Sequence, residues 1–442
     1  MTSLISPRPP IADARLPWDE ELDDPIAVIA SARAEHGDTF VVEGARSPFL
    51  FLFSPAGVRS FYAVAEADAS KGVADARMLR RKLPPELFRD RRTIPHDLFA
   101  RDDVVQYLDV VRTAVDVATA ELGTEGTFEA FEFTRRLGHR IGLCTWAGEC
   151  GTSERFDELV DALDALDGAA AFVDPGAMAA VAASDYANER AAMARAEAVI
   201  AEVIARRDAD ANPPKDQLQR IIDTWSDADG DADPDARRRG IARDLILVHL
   251  GSMSNLFSAL GWLLVDLITR PALTSMIRDG DRALAERCAL ESTRIAQRSI
   301  MLRAVVQSID VDDGARTWRV EPGVTLATLL PLTNLATDDL RRYDPDRWNR
   351  RRIRDGRGGG QQAELVTTFG HGIHTCPAQP FSLSVMTTVL ESMLQRYDLT
   401  AEFTAATPRG AQIGGVARSA TPCVISYAPR RTSPGRDRPG SA

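Results

Sequence analysis

The chain has 442 residues, of which 44% are hydrophobic, and its formal net charge at pH 7 is −11. A chain of this length and composition can bury a large core, and the negative charge argues against a nucleic-acid-binding role. The N-terminal segment contains proline, arginine and aspartate. It has no run of about twenty apolar residues, so neither a membrane anchor nor a secretory signal is expected.

Five cysteines occur at positions without the spacing of a disulfide framework. An odd count of this kind is typical of a reducing compartment. Together with the N-terminal composition, it predicts a soluble cytoplasmic protein without membrane attachment. Alanine- and arginine-rich segments such as residues 187–207 point to a bacterial coding sequence.

The first hundred residues contain both helical and strand-like patterns. Residues 24–36 have the pattern of a helix. Residues 38–43 and 49–53 have the apolar and aromatic composition of two paired strands. Residues 83–103 are charged and rich in loop-forming residues, so no regular element is predicted there.

Helical patterns dominate from residue 104 to residue 269. An acidic segment rich in Pro, Gly and Asp, residues 208–235, interrupts them and is predicted to be a solvated loop. The last helix of the series, residues 241–269, is long and apolar and ends at Arg270-Pro271. The tail, residues 429–442, is predicted to be disordered.

The stretch from Phe369 to Cys376 places one cysteine in a glycine-punctuated loop, directly before an apolar run that is predicted to be a helix. A thiolate at a helix N-terminus is stabilised by the unpaired N–H groups there. Glycines let the backbone pass close to a flat ligand, which suits a thiolate bound to heme iron. Two alternatives remain open: zinc ligation by His371, His374 and Cys376, and an ordinary buried cysteine.

The spacing of this loop resembles the heme-binding loop of the cytochrome P450 family, Phe-x-x-Gly-x-Arg-x-Cys-x-Gly. Phe369, Gly372 and Cys376 match it, whereas His374 stands in place of the arginine and Ala378 in place of the last glycine. The resemblance implies that Cys376 is the axial ligand of heme b. It further implies that Phe369 packs near the sulfur and that His374 binds a heme propionate.

Two further motifs stand in the order that the family has. Glu291 and Arg294 lie three residues apart in a helical stretch, residues 283–298, and share one helix face. Taken alone, this pattern is that of a solvated ion pair. Residues 343–348 resemble the family's Pro-Glu-Arg-Phe segment, which implies that Arg347 joins Glu291 and Arg294 in a buried structural triad.

The resemblance also points to propionate ligands beyond His374. Arg303 follows Arg294 by nine residues, a spacing at which relatives bind a propionate, and Arg298 is a weaker substitute. A guanidinium suits a carboxylate well. A third partner is expected within residues 102–120, where Arg112 is only a guess.

The long apolar helix matches the family's central helix, in which an acid–alcohol pair feeds protons to iron-bound oxygen. This chain has Gly251-Ser-Met-Ser-Asn255 there. A register anchored on Trp262 places Ser254 at the acid position and Asn255 at the alcohol position. In the family that the chain resembles, cholesterol 7-alpha-hydroxylase and prostacyclin synthase also carry asparagine at the alcohol position. A slip of one residue would use Met253 and Ser254 instead, and Ser254-Asn255 could simply break the helix ladder.

The resemblance implies a mostly α fold with a small β lobe and the heme between the two lobes. A single domain over residues 1–428 is expected, with residues 1–100 forming the β-rich lobe and the roof of the pocket and residues 101–428 forming the helical lobe. Residues expected to face the distal pocket or the substrate are Gly251, Met253, Ser254, Asn255, Leu256, Phe172, Val173 and Met178. For the last three, a plain helix–helix connection is an equal alternative.

The expected function is oxidation of a small apolar specialised metabolite, by hydroxylation, epoxidation or oxidative cyclisation, in a monooxygenase-type reaction. One alternative is an oxygen-independent isomerase, cyclase or group-transfer enzyme acting on a pre-activated N–O or O–O bond. Another is a heme-binding sensor or scaffold. The basic cluster at residues 341–357 could receive a ferredoxin or flavodoxin, or be a solvated loop.

Overall fold

The computed structural model describes residues 8–89, 98–99, 101–167, 175–226, 233–350 and 364–430. Within these ranges the protein is mostly helical with a small sheet region, which confirms the coarser prediction of a mostly α protein with a small β part. The longer helices, labelled in chain order, are α1 (Pro25–His36), α2 (Pro55–Ala63), α3 (Lys71–Leu79), α4 (Arg101–Leu122), α5 (Ala130–Trp146), α6 (Phe156–Asp167), α7 (Pro175–Ala183), α8 (Ala187–Ala209), α9 (Gln217–Ser226), α10 (Pro234–Ile268), α11 (Pro271–Arg278) and α12 (Arg282–Ala296).

Four more helices follow, three of them short: α13 (Leu330–Asn334), α14 (Asp338–Arg341), α15 (Arg347–Arg350) and α16 (Gln379–Arg396). The strands are β1 (Ile11–Ala12), β2 (Thr39–Glu43), β3 (Pro48–Leu52), β4 (Ala69–Ser70), β5 (Gly126–Glu129), β6 (Ile300–Val305), β7 (Ile309–Asp312), β8 (Thr317–Val320), β9 (Thr325–Leu329), β10 (Tyr397–Ala401) and β11 (Val424–Pro429).

The largest sheet has the strand order β1-β2-β3-β9-β6-β4. The predicted pair of strands is confirmed: β2 and β3 run antiparallel, with Thr39 opposite Leu52. Strand β3 pairs in parallel with β9, and β9 pairs antiparallel with β6, so that Arg303 lies opposite Leu326. The sheet therefore contains strands from both sides of the expected boundary at residue 100.

The predicted solvated loop at residues 208–235 is wrong in part, because it contains helix α9. Four apolar side chains of α9, Leu218, Ile221, Ile222 and Trp225, follow helical spacing and are buried. Their packing outweighs the acidic composition of the flanking residues. The helix predicted to begin at residue 241 begins at Pro234, because Asp233 caps it.

Helix α10 runs through the helical core and packs against α5, α12 and α16. Helix α5 approaches it closely at Gly138, where a Cβ atom would lie 2.2 Å from the ring of Phe257. By length and composition α10 could cross a membrane. However, 72% of its most apolar window is buried inside the protein, as in the core helix of a soluble protein.

A buried chain of hydrogen bonds also joins α5 to α10. The indole Nε1 of Trp146 lies 3.3 Å from His249 Nδ1, His249 Nε2 lies 2.9 Å from His139 Nδ1, and His139 Nε2 lies 3.0 Å from Asp164 Oδ1. Because an indole N–H can only donate, His249 must accept at Nδ1 and donate from Nε2. His139 then donates to the Asp164 carboxylate. The chain of hydrogen bonds thereby fixes the tautomer of His249.

This arrangement makes the stability of the protein pH-dependent. Burial, followed by the proximity of His139, lowers the pKa of His249 well below its usual value. Below about pH 6.5, His249 binds a proton in the unfolded chain but not in the folded chain. The free energy of unfolding should therefore fall as the pH decreases, by up to about 1.4 kcal/mol per pH unit from this residue.

Urea unfolding of the wild type and of His249→Gln at neutral and mildly acidic pH measures this contribution. We expect the variant to be less stable at neutral pH but to lose less stability on acidification. Equal losses for the two proteins would contradict the assignment.

Candidate functional site

The cysteine loop is held by its own backbone. The main-chain N–H of Cys376 donates to Phe369 O at 2.7 Å. Gly370 has φ +79°, and a Cβ atom there would lie 2.5 Å from His374 O. Only glycine fits such a position. Gly372 also has a positive φ of +57°, at the start of a short 3-10 turn that ends at His374. The glycines therefore fold the loop so that Cys376 stands at the start of α16.

Cys376 is partly buried, and it packs together with Phe369 on the helical core. Burial raises the pKa of the Cys376 thiol, and it outweighs the opposite effect of Lys71 and of hydrogen bonds from the main-chain N–H groups of Ala378 and Gln379. A thiol of this kind keeps its proton unless a metal ion displaces it. The sulfur is thus poorly suited to act as a free nucleophile.

The zinc alternative has no support in the described ranges, where no group of three His, Cys, Asp or Glu side chains could hold a metal ion.

The structure brings the two expected propionate ligands together. Nη2 of Arg303 and Nε2 of His374 each lie 3.9 Å from the same oxygen of Glu66. Arg303 is fully buried in β6, and its guanidinium donates to Phe61 O at 2.6 Å and to Ala69 O at 2.6 and 2.8 Å. Burial, followed by the charge of Arg303, lowers the pKa of His374.

The structure also brings Glu291, Arg294 and Arg347 together. Arg294 donates to both carboxylate oxygens of Glu291 at 2.7 and 2.8 Å, and neither residue is exposed. Nε of Arg347 lies 3.4 Å from Glu291 Oε1. The indole N–H of Trp348 and the main-chain N–H of Asp344 also donate to Glu291, both at 3.0 Å.

One face of α10 is exposed near the middle of the helix, between turns that are mostly buried. Gly251 and Asn255, four residues apart, share this face. Asn255 Oδ1 accepts a hydrogen bond from the main-chain N–H of Val416 at 2.9 Å. Met253 was expected to line this face as well. It is instead fully buried and contacts α5 near Gly142. Leu256 is also buried.

Ser254 contacts an acid that the sequence of α10 does not contain. Its hydroxyl donates to Asp167 Oδ2 at 3.2 Å, and Arg418 Nη2 lies 3.2 Å from the same oxygen. Lys82 donates to the main-chain carbonyl of Asp167. These residues come from segments far apart in the chain and were missed by sequence reasoning.

Of the remaining expected residues, those that the structure describes have other contacts. Phe172 and Val173 lie outside the described residues, and Met178 packs with the hydrophobic cluster that contains β2 and β3. Arg112 is exposed on α4 and pairs with Asp109 at 2.7 Å. Arg298 donates to the carbonyls of Gly410 and Gln412. Of the basic cluster, Arg341 and Arg342 pair with acidic neighbours, and residues 351–357 lie outside the described ranges.

No protein-family model and no curated protein matches this sequence.

The buried Glu291 network predicts a large loss of stability when one partner is removed. Arg347→Met should lower the free energy of unfolding by about 3–5 kcal/mol, because it removes a buried cationic partner from both Glu291 and Asp339. The matched control is Arg341→Met, which removes an exposed ion pair with Asp338 and should change stability by about 0–1 kcal/mol. Urea denaturation checks both values, and equal effects of the two substitutions would contradict the role of Arg347.

Proposed function

We propose that this chain is a heme-thiolate enzyme of the cytochrome P450 type, with Cys376 as the axial ligand of heme b. The observation that carries the proposal is the setting of the Cys376 sulfur. It lies in a glycine-shaped loop directly before the N-terminus of α16, where the main-chain N–H groups of Ala378 and Gln379 act to lower the pKa of the thiol against the effect of burial. Such N–H groups stabilise a thiolate bound to iron.

The residues around the loop fit the rest of the cofactor. The two propionates of heme need cationic or hydrogen-bond-donating partners. Arg303 and His374 stand together beside the loop, and His374 Nε2 is buried without a hydrogen-bond partner in the described part of the chain. In this proposal these two residues hold the propionates, Phe369 packs near the sulfur, and the mostly helical chain with its small sheet adopts the P450 fold.

When bound, a heme with a thiolate ligand supplies the activation of oxygen or of an O–O or N–O bond. The residues of the chain would bind this cofactor and border the substrate. Cys376 holds the cofactor, and the exposed face of α10 with Gly251 and Asn255 borders the substrate. Ser254 and Asp167 form a hydroxyl–carboxylate pair that can hold or pass a proton.

Oxidation of a small specialised metabolite is the reaction we favour, because the contact between Ser254 and Asp167 provides the acid that α10 lacks. Electrons would come from a ferredoxin or flavodoxin. A second candidate is an oxygen-independent rearrangement or group transfer on a substrate with its own activated bond. The main-chain N–H of Val416 donates a hydrogen bond to Asn255 Oδ1, and this contact favours the second candidate, since the amide oxygen is then committed to the segment around Val416. A heme-binding sensor would form no product.

Replacement of the ligand tests the proposal directly. Cys376→Ser should abolish the thiolate-type ferrous–CO spectrum of the purified protein, because a serine oxygen cannot replace the sulfur. Cys144→Ser, which changes another partly buried cysteine, is the matched control and should leave the spectrum unchanged. Retention of the thiolate spectrum in Cys376→Ser would refute the ligand assignment.

Asn255→Thr separates the two candidate reactions. The substrate would be found by screening for compounds that shift the Soret band. In air with a ferredoxin system, the variant should form product faster than the wild type, because threonine restores a hydroxyl at this position. Product from the wild type without oxygen and reductant, together with loss of activity in Asn255→Thr, would contradict oxidation and support the rearranging enzyme.

A further inference from the structure

Beside the cysteine loop, three buried polar atoms have no hydrogen-bond partner among the residues that the structure describes. They are Tyr62 Oη, His371 Nε2 and His374 Nε2. The ring centroid of Tyr62 lies 4.9 Å from that of His371 and 6.5 Å from that of His374. A buried polar atom without a partner is unfavourable and is rare in native proteins. Three such atoms in one place indicate a site for a polar ligand.

Arg303 belongs to the same place. Its guanidinium donates to the main-chain carbonyl of Phe61, the residue directly before Tyr62. It thereby fixes the end of α2 against β6 and holds Tyr62 beside His374. Three guanidinium N–H groups donate to main-chain carbonyls, and a guanidinium has five, so further donors remain for a ligand.

The chemistry of these groups indicates a carboxylate. Arg303 carries a positive charge, and Glu66 Oε2 already lies 3.9 Å from both Arg303 and His374. Burial raises the pKa of Tyr62 far above its usual value. Tyr62 is therefore a neutral hydroxyl that can donate one hydrogen bond to an anion.

We propose that Tyr62 is a further cofactor-binding residue, whose hydroxyl donates a hydrogen bond to a heme propionate next to His374 and Arg303. The assignment rests on the proposed function, and it takes the role of the third propionate partner that the sequence suggested for Arg112. A lone tyrosine in an amphipathic helix carries no recognisable motif, so its position became apparent only from its neighbours.

Heme release tests the assignment. Tyr62→Phe removes only the hydroxyl, and the rate of heme transfer from the purified holoprotein to excess apomyoglobin should rise about tenfold or more. The control is Tyr397→Phe. Tyr397 is as buried as Tyr62, but its hydroxyl donates to Thr119 O and Gly123 O. That variant should lower thermal stability and leave the rate of heme transfer unchanged.

A second measurement separates contact with the propionate from a general loosening of the fold. Wild type and Tyr62→Phe are each loaded with heme and with heme dimethyl ester, whose carboxylates are blocked. The ratio of the transfer rate of Tyr62→Phe to that of the wild type should be large for heme and close to one for the ester. Comparing two proteins with two cofactors in this way forms a double-mutant-type cycle, which isolates the contact between hydroxyl and carboxylate.

An unchanged rate with heme, or the same ratio for both cofactors, would overturn the assignment of Tyr62. The proposed function would still stand if the wild type gives the thiolate-type ferrous–CO spectrum. Absence of that spectrum in the wild type would contradict the proposed function itself.

Discussion

The cysteine loop depends on one buried carboxylate, that of Glu291. It accepts hydrogen bonds from the side chains of Arg294, Arg347 and Trp348 and from the main chain of Asp344. An isolated buried charge would be strongly unfavourable, so these partners must remain in place together. The carboxylate thereby ties α12 to the segment that contains α15.

A continuous chain of hydrogen bonds leads from this network to the loop. Arg294 Nη1 donates to Asn334 O at 2.5 Å. The side chain of Asn334 forms two hydrogen bonds of 2.9 Å with the backbone of Thr367. Thr367 Oγ1 in turn accepts from the N–H of Gly370 at 2.7 Å. The triad therefore sets the backbone conformation in which Cys376 reaches the start of α16, although it does not touch the sulfur.

Features that depend on residues close together in the sequence could be predicted, and those that depend on distant segments could not. Glu291 and Arg294 lie one helical turn apart, and the loop glycines act on their immediate neighbours, so local spacing was sufficient to select them. The pair β2 and β3 was predictable for the same reason. Asp167, Arg418 and Lys82 could not be predicted, because they meet Ser254 only after four distant segments have packed. The helix α9 was missed because acidic residues around it obscured four apolar positions at helical spacing.

We propose that Cys376 binds iron in a site built by this loop and the network beneath it. X-ray absorption at the iron edge of the purified holoprotein tests it most directly, because it identifies the atoms bonded to the metal. We expect one sulfur neighbour in addition to the porphyrin nitrogens in the wild type, and its loss in Cys376→Ser. A first shell of nitrogen and oxygen alone in the wild type would contradict it.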